Sequence, residues 1–158
     1  MADRRPRNLE DDGTGYQSVL VAFEIGQYAP TVVRTAMRLA APRRHGIHVL
    51  VTIVVPTTSA IDASMPDAES EAQTIIDSAR VLGGRRVSGH WEKVRPGQAG
   101  RRIVDTARAM DARAIVAPRP QRRPGYSLFG RTLETVLEER PCRVIIESAP
   151  AADGDTAP

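Results

Sequence analysis

The stretch IHVLVTIVV, residues 47–55, decides the fold class of this chain. It is the most β-branched segment of the sequence, and Pro56 ends it. A continuous apolar run of this length predicts a β-strand that is buried on both faces, which is typical of parallel sheets. The chain is therefore expected to be built around a parallel sheet.

The segments on either side alternate between extended and helical patterns. Short apolar runs at residues 18–24, 86–94, 114–117 and 142–147 predict four further strands, and Gly89 indicates that the run at 86–94 is an edge strand. Apolar residues at helical spacing predict a helix in each of the four connections. The order β-α-β-α-β-α-β-α-β predicts one α/β domain with helices on both faces of an open sheet.

A ligand of such a sheet binds beyond the carboxyl ends of the strands, where the strand order reverses. Two connections that follow strands are therefore the candidate sites. One is residues 24–27, and the other is the Pro-rich segment 118–129.

Length and composition fit this class. The chain has 158 residues, of which 41% are hydrophobic and 26% charged, and its single cysteine, Cys142, excludes an intrachain disulfide. No apolar run approaches the roughly 20 residues that cross a bilayer, so no membrane insertion is expected. The polar start lacks a signal-peptide pattern, and a cytoplasmic location is expected. Residues 1–16 and 149–158 predict disordered tails that flank a domain at 17–148.

The charged residues suggest an anionic partner but do not require one. The net charge is +3, and Lys93 is the single lysine, so the basic residues are almost all arginines. Guanidinium groups bind phosphate and carboxylate well, but the codon bias of a GC-rich genome explains the same composition. Trp91 and Tyr126 are too few to form a stacking platform, so no nucleic-acid partner is expected.

Candidate reactive side chains do not form a recognisable catalytic or metal site in the sequence. The three histidines lack metal-ligand spacing, so no metal site is expected. Ser127 and Thr132 have no base nearby in the sequence, so no catalytic residue is expected. Cys142 follows Pro141 and opens a buried strand, which favours a small core residue over a redox thiol.

Four segments together resemble the universal stress protein family. They are SVLVAFE (18–24), HVLVTIVVP (48–56), PGQAGRRIVDTARAMDARAIVA (96–117) and FGRTLETVLEERPCRVII (129–146). The resemblance implies a Rossmann-like fold of the adenine nucleotide alpha hydrolase type, a single domain in three layers, with five parallel strands in the order 3-2-1-4-5. It also implies a homodimer formed through the last strand, with Arg143, Val144, Ile145, Ile146 and Glu147 at the interface.

The resemblance also places a ligand site on this chain. Family members that bind ATP share the loop Gly-x2-Gly-x9-Gly-(Ser/Thr) after the fourth strand. The matching positions here are Ala117, Pro120, Gly130 and Arg131, so Gly130 alone is retained. Thr132 supplies a hydroxyl one residue late.

Two further positions are implied by the same resemblance. Glu24 matches the acidic residue that contacts adenosine, and Ile53 matches the apolar residue beneath adenine.

Proline chemistry weakens the expectation of ATP binding. The family loop cradles phosphates with backbone N–H groups, whereas a proline has no N–H and cannot adopt a positive φ. Pro118, Pro120 and Pro124 therefore remove three potential donors. Four arginines lie in or beside the loop and could replace them in part: Arg119, Arg122, Arg123 and Arg131.

Three functions follow from these observations. The first is a non-catalytic regulatory protein that has no cofactor and acts by binding a protein partner. The last segment of the chain, residues 130–146, also resembles stress-protein domains attached to membrane transporters, so a transporter is one candidate partner. The second is a protein that binds ATP or another anionic nucleotide through its loop arginines. The third is an enzyme on a related scaffold, such as a nucleotidyl transferase or an ATP pyrophosphatase, but the His-x-Gly-His and Ser-Gly-Gly-x-Asp-Ser signatures are absent.

Overall fold

A five-stranded parallel sheet forms the centre of the computed structural model, which describes residues 15–120 and 129–148. The strand order is β3-β2-β1-β4-β5, and every pairing is parallel. The strands are β1 (Val19–Glu24), β2 (Ile47–Val54), β3 (Val87–Val94), β4 (Ala114–Pro118) and β5 (Arg143–Glu147). The predicted topology is confirmed.

Four helices cover the sheet: α1 (Pro30–Leu39), α2 (Pro66–Gly83), α3 (Ala99–Ala109) and α4 (Gly130–Glu139). Pro30 and Pro66 occupy the first turns of α1 and α2, where the missing N–H has no intrahelical acceptor to lose. The sheet separates two clusters of buried side chains, one on each of its faces. Val21 and Phe23 pack with α1 and α2, whereas Leu20 and Ala22 pack with α3 and α4.

The stretch that predicted the sheet forms β2. Its residues from Val49 to Ile53 are almost completely buried, because β2 lies between β1 and β3 and helices pack on both of its faces. The β1–β2 register runs from Val19 opposite Ile47 to Glu24 opposite Thr52. Glu24 therefore stands at the carboxyl end of β1, beside β2.

The edge strand β3 contains a glycine for a steric reason. A Cβ added at Gly89 would lie 2.9 Å from both the Ile76 side chain and the Val49 carbonyl oxygen. The glycine thus allows α2 to pack closely against β3. The sequence predicted the edge position, which is confirmed, but not this contact.

The folded domain begins earlier than the sequence predicted, because it includes Tyr16. The sequence put Tyr16 in a tail, but the side chain is buried and the residue bridges Ala40. Its hydroxyl accepts a hydrogen bond from Arg143 Nη1 at 2.7 Å. One aromatic residue next to a polar segment forms no hydrophobic period that would predict its burial. Tyr16 is held in place by its contacts with Ala40 and Arg143.

Residues 1–14 and 149–158 of the predicted tails, and segment 121–128 with Arg122, Arg123 and Pro124, lie outside the described residues. Within the described ranges, no helix has the length and apolar character needed to cross a bilayer.

Candidate functional site

A small cavity of about 70 Å³ opens at the carboxyl ends of β1 and β4, on the face that α3 and α4 cover. The end of β1, the end of β4 and the first turn of α4 form its walls. Its lining comprises Ala22, Phe23, Glu24, Gln27, Ile103, Ala117, Pro118, Pro120, Phe129, Gly130, Arg131, Thr132 and Leu133. Small-molecule sites usually enclose about 300–1,000 Å³, so this strand-end cavity is small for a nucleotide.

A hydrogen bond between β1 and α4 crosses the strand-end cavity. Thr132 Oγ1 donates to Glu24 Oε1 at 2.9 Å. Gln27 holds the same carboxylate from the other side, because its Nε2 donates to Glu24 Oε2 at 3.2 Å. The Glu24 backbone N–H donates to Gln27 Oε1 at 3.1 Å, which completes a local ring. Both oxygens of the Glu24 carboxylate are therefore engaged by the chain itself.

The β4 end of the strand-end cavity offers few backbone donors. Pro118 and Pro120 both line it, and neither has an N–H. The intervening Arg119 N–H donates to the Glu147 carbonyl oxygen at 2.9 Å, so it extends the pairing of β4 with β5. None of these three residues turns a free backbone N–H toward the cavity.

The start of α4 depends on glycine. Gly130 has a φ of +70°, a left-handed conformation that side-chain-bearing residues rarely adopt. The next residue, Arg131, lays its guanidinium over Gly97 in the connection between β3 and α3. A Cβ added at Gly97 would lie 2.9 Å from Arg131 Cζ. The exposed Arg131 thus lines the cavity and also reaches the loop between β3 and α3.

Comparison with known proteins identifies the family of this fold and site. A family model described as the universal stress protein family matches residues 15–146. The chain belongs to the universal stress protein family. The family that the four sequence segments resembled is thereby confirmed. A search of curated proteins found no match.

Solved universal stress proteins share the architecture. One from Archaeoglobus fulgidus is 26% identical, with a TM-score of 0.59 over 83% of this chain and 98% of that one. One from Burkholderia pseudomallei is 22% identical, with a TM-score of 0.56 over 85% and 97%. A universal stress protein solved in complex with cAMP is 18% identical, with a TM-score of 0.54 over 86% and 99%.

The structure brings together most of the residues that the family resemblance pointed to. Six of them line the strand-end cavity: Glu24, Ala117, Pro120, Gly130, Arg131 and Thr132. Arg119 is exposed and lies outside the lining. Gln27 and Phe129 also line the cavity. The sequence analysis did not single out either residue, although each ends one of the two candidate connections, 24–27 and 118–129.

Ile53 is placed apart from the strand-end cavity. It is 1% exposed and belongs to the core between the sheet and helices α1 and α2. Side chains alternate along a strand, so Thr52, next to Glu24 in the register, shares the face of the cavity instead. The Thr52 hydroxyl is buried and has no hydrogen-bond partner among the described residues.

Cys142, the single cysteine of the chain, lies outside the strand-end cavity. Burial raises the pKa of the Cys142 thiol to about 11, which makes it a poor nucleophile. Cys142 packs against the α3/α4 core, as a small apolar residue does. Across the described part of the chain, no group of three or more His, Cys, Asp or Glu side chains could hold a metal ion.

Proposed function

We propose that this universal stress protein is a non-catalytic binding protein whose strand-end cavity does not hold ATP in the family manner. The hydrogen bond from Thr132 to Glu24 is the observation that carries the proposal. By the family resemblance, these are the hydroxyl beside the phosphate loop and the carboxylate that contacts adenosine. Here they bind each other, so a nucleotide would have to break their contact.

Hydrogen-bond energies support the same conclusion. Micromolar ATP binding requires about 8 kcal/mol in total. A hydrogen bond to a charged group contributes about 1.5–3 kcal/mol. Pro118 and Pro120 cannot donate, and the Arg119 N–H is already bound to Glu147. The loss of two phosphate donors would therefore remove a large part of the required affinity.

Equilibrium dialysis of the purified protein with ATP and Mg²⁺ tests this proposal. We expect no stoichiometric site with a Kd below about 10 μM. A stoichiometric site tighter than that would overturn the proposal. Circular dichroism of the same sample serves as the control for folded protein.

A second candidate function is the binding of a nucleotide through arginines. The position of Arg131 favours it, because this residue lines the cavity and its guanidinium rests on Gly97. A guanidinium binds phosphate bidentately, and a monophosphate such as the cAMP of the similar structure needs fewer donors than ATP.

Salt dependence distinguishes this second function from the first. Nucleotide binding through exposed arginines would weaken steeply with ionic strength. Replacement of both Arg119 and Arg131 by alanine would abolish it, while Arg38→Ala, an exposed arginine on α1, would leave it unchanged. Binding that persists in the double variant would contradict a role for the arginines.

In the same proposal, the protein acts in the cytoplasm as a homodimer whose two copies are joined through β5. This strand forms an open edge of the sheet and exposes part of three consecutive β-branched side chains. Val144 packs against one core and Ile145 against the other, whereas the half-buried Ile146 belongs to neither. Unpaired strand edges with apolar side chains are surfaces on which a second chain can add.

Replacement of Ile146 by lysine is expected to convert the dimer to a monomer. A charge on the strand edge blocks pairing with a second copy and leaves both cores intact. Size-exclusion chromatography with light scattering measures the change in mass. The matched control is Val81→Lys on α2. Val81 is also apolar, is 85% exposed and lies far from β5 in the sequence. A variant that remains dimeric, or a wild type that is monomeric, would refute the β5 interface.

A further inference from the structure

A larger cavity of about 460 Å³ lies at the opposite end of the sheet from the strand-end cavity. We call it the amino-end cavity, because it is bounded by the starts of β1, β2 and β3. Its volume falls within the usual range for small-molecule sites. Its lining comprises Gln17, Ser18, Arg43, His45, His48, Ser88, Thr106, Ala109 and Met110. It does not share a single lining residue with the strand-end cavity.

A chain of hydrogen bonds runs from the amino-end cavity along β2 and β3 to a carboxylate. Ser88 Oγ lies 2.9 Å from His48 Nδ1, and His48 Nε2 lies 2.7 Å from His90 Nδ1. His90 Nε2 lies 3.0 Å from Glu92 Oε1. The four side chains therefore form one continuous relay, which we call the imidazole relay.

The carboxylate at its end sets the direction of every hydrogen bond in the relay. Glu92 also accepts from Arg102 Nε at 3.0 Å, so Glu92 is the acceptor and His90 Nε2 carries a proton. In neutral His90 the other nitrogen, Nδ1, then accepts from His48 Nε2. His48 Nδ1 is left with a lone pair, and the Ser88 hydroxyl donates to it. Ser88 thus presents only oxygen lone pairs to the cavity.

A proton added to His90 reverses this direction. Both of its nitrogens then donate, so His48 must accept at Nε2 and carry its own proton on Nδ1. That N–H donates to the oxygen of Ser88 and frees the hydroxyl to donate into the cavity. His48 itself stays neutral, because burial first, and then the charges of His90 and Arg80, lowers its pKa to about 4.

The cationic side of the amino-end cavity supplies a counterpart for an anion. Arg43 Nη1 donates to the carbonyl oxygen of Gln17 at 3.2 Å and to Gln17 Oε1 at 3.4 Å. Both oxygens are neutral, and no described carboxylate forms an ion pair with Arg43. Among the described residues, the positive charge of Arg43 therefore has no carboxylate counterpart at the cavity wall, which the apolar side chains of Ala109 and Met110 also line.

We propose that the amino-end cavity is a second ligand site that takes a small molecule bearing an oxyanion, such as a carboxylate or phosphate group. Arg43 binds the anion, and the imidazole relay couples its affinity to proton uptake at His90. A neutral relay offers the anion an unfavourable acceptor at Ser88, and a protonated relay offers a donor.

Charged and titratable groups face the relay from several elements. Besides its own members His48 on β2 and Glu92 on β3, they are Arg80 on α2, Arg102 on α3, and Arg43 and His45 in the connection between α1 and β2. His45 also lines the cavity, so its own proton would raise anion affinity without the relay. The test must separate these two histidines.

The test is an NMR titration with sulfate, which stays a dianion between about pH 5.5 and pH 8, where imidazoles change charge. We expect saturable shifts of the Met110 methyl and His48 ring resonances, with a Kd at least about fivefold lower at the acidic pH. Arg43→Ala should abolish the shifts, while Arg38→Ala should leave them unchanged. Equal binding in the two arginine variants, or shifts centred on Arg131 and Thr132, would overturn the site.

The coupling is tested in a His45→Asn background, since asparagine tolerates the positive φ of 55° at that position. The pH dependence should persist there and disappear when His90→Gln or Ser88→Ala is added. Ser88→Ala keeps the charge of protonated His90 and removes only the hydroxyl, so it distinguishes the relay from simple charge attraction. An unchanged pH dependence in both double variants would show that the relay is not coupled to binding.

Discussion

Replacement of Ala117 and Pro120 by glycine and of Arg131 by serine is expected to create ATP binding in the micromolar range. With Gly130 already present, the triple variant has the complete Gly-x2-Gly-x9-Gly-Ser pattern of the ATP-binding family members. Pro120→Gly supplies a backbone N–H, and Arg131→Ser supplies a hydroxyl at the start of α4. Two new hydrogen bonds to a charged phosphate contribute about 3–6 kcal/mol.

Part of this gain is offset by the cost of ordering two new glycines. We therefore expect the triple variant to bind ATP at least about tenfold more tightly than the wild type. Isothermal titration calorimetry with ATP and Mg²⁺ measures the difference. The matched control is Arg131→Ser alone, which removes the arginine and adds the hydroxyl but leaves Pro120 in place.

The outcome also separates the two candidate functions. If Pro120 prevents binding, the triple variant gains affinity and the single variant does not. If Arg131 holds a nucleotide in the wild type, the single variant loses affinity. A triple variant with no measurable affinity would show that the missing N–H at Pro120 is not the main obstacle.

The fold was predictable because its signals are local and repeated. The largely apolar, β-branched run at 47–55 predicted a strand buried on both faces, and β2 is that strand. Pro30 marked the start of α1, whereas α2 begins at Pro66, inside a segment that the sequence had assigned to a polar connection. Tyr16 was missed because its burial depends on contacts with Ala40 and Arg143, which are distant in the sequence.

The site was less predictable than the fold, because side-chain contacts between elements leave no periodic trace. The strand-end position of Glu24 followed from topology, but its bond with Thr132 joins residues 108 positions apart. The three histidines were considered in the sequence only as metal ligands, and not as partners of one another in a hydrogen-bonded chain. Neighbouring strands β2 and β3 place His48 opposite Ser88, beside the pair formed by Leu50 and His90, and that register created the relay.

The second large effect concerns the packing of α3 against α4. Replacement of Gly100 by alanine is expected to destabilise the protein by about 2 kcal/mol, although alanine is the better helix former by about 1 kcal/mol. A Cβ at Gly100 would lie 2.6 Å from the Thr132 carbonyl oxygen and 2.7 Å from Thr135 Cβ. A backbone carbonyl cannot rotate away, so α4 as a whole must move.

Thermal unfolding should show a Tm lower by about 4–8 °C for Gly100→Ala. Gly84→Ala is the control, because its added Cβ has no atom within 4 Å and its cost comes from a φ of +56° alone. The contact with Thr132 also links packing to the site. Gly100→Ala in the triple-variant background should weaken ATP binding, since it displaces the first turn of α4, whereas Gly84→Ala should not. A Gly100→Ala protein as stable as the wild type would mean that the two helices are not in contact at this glycine.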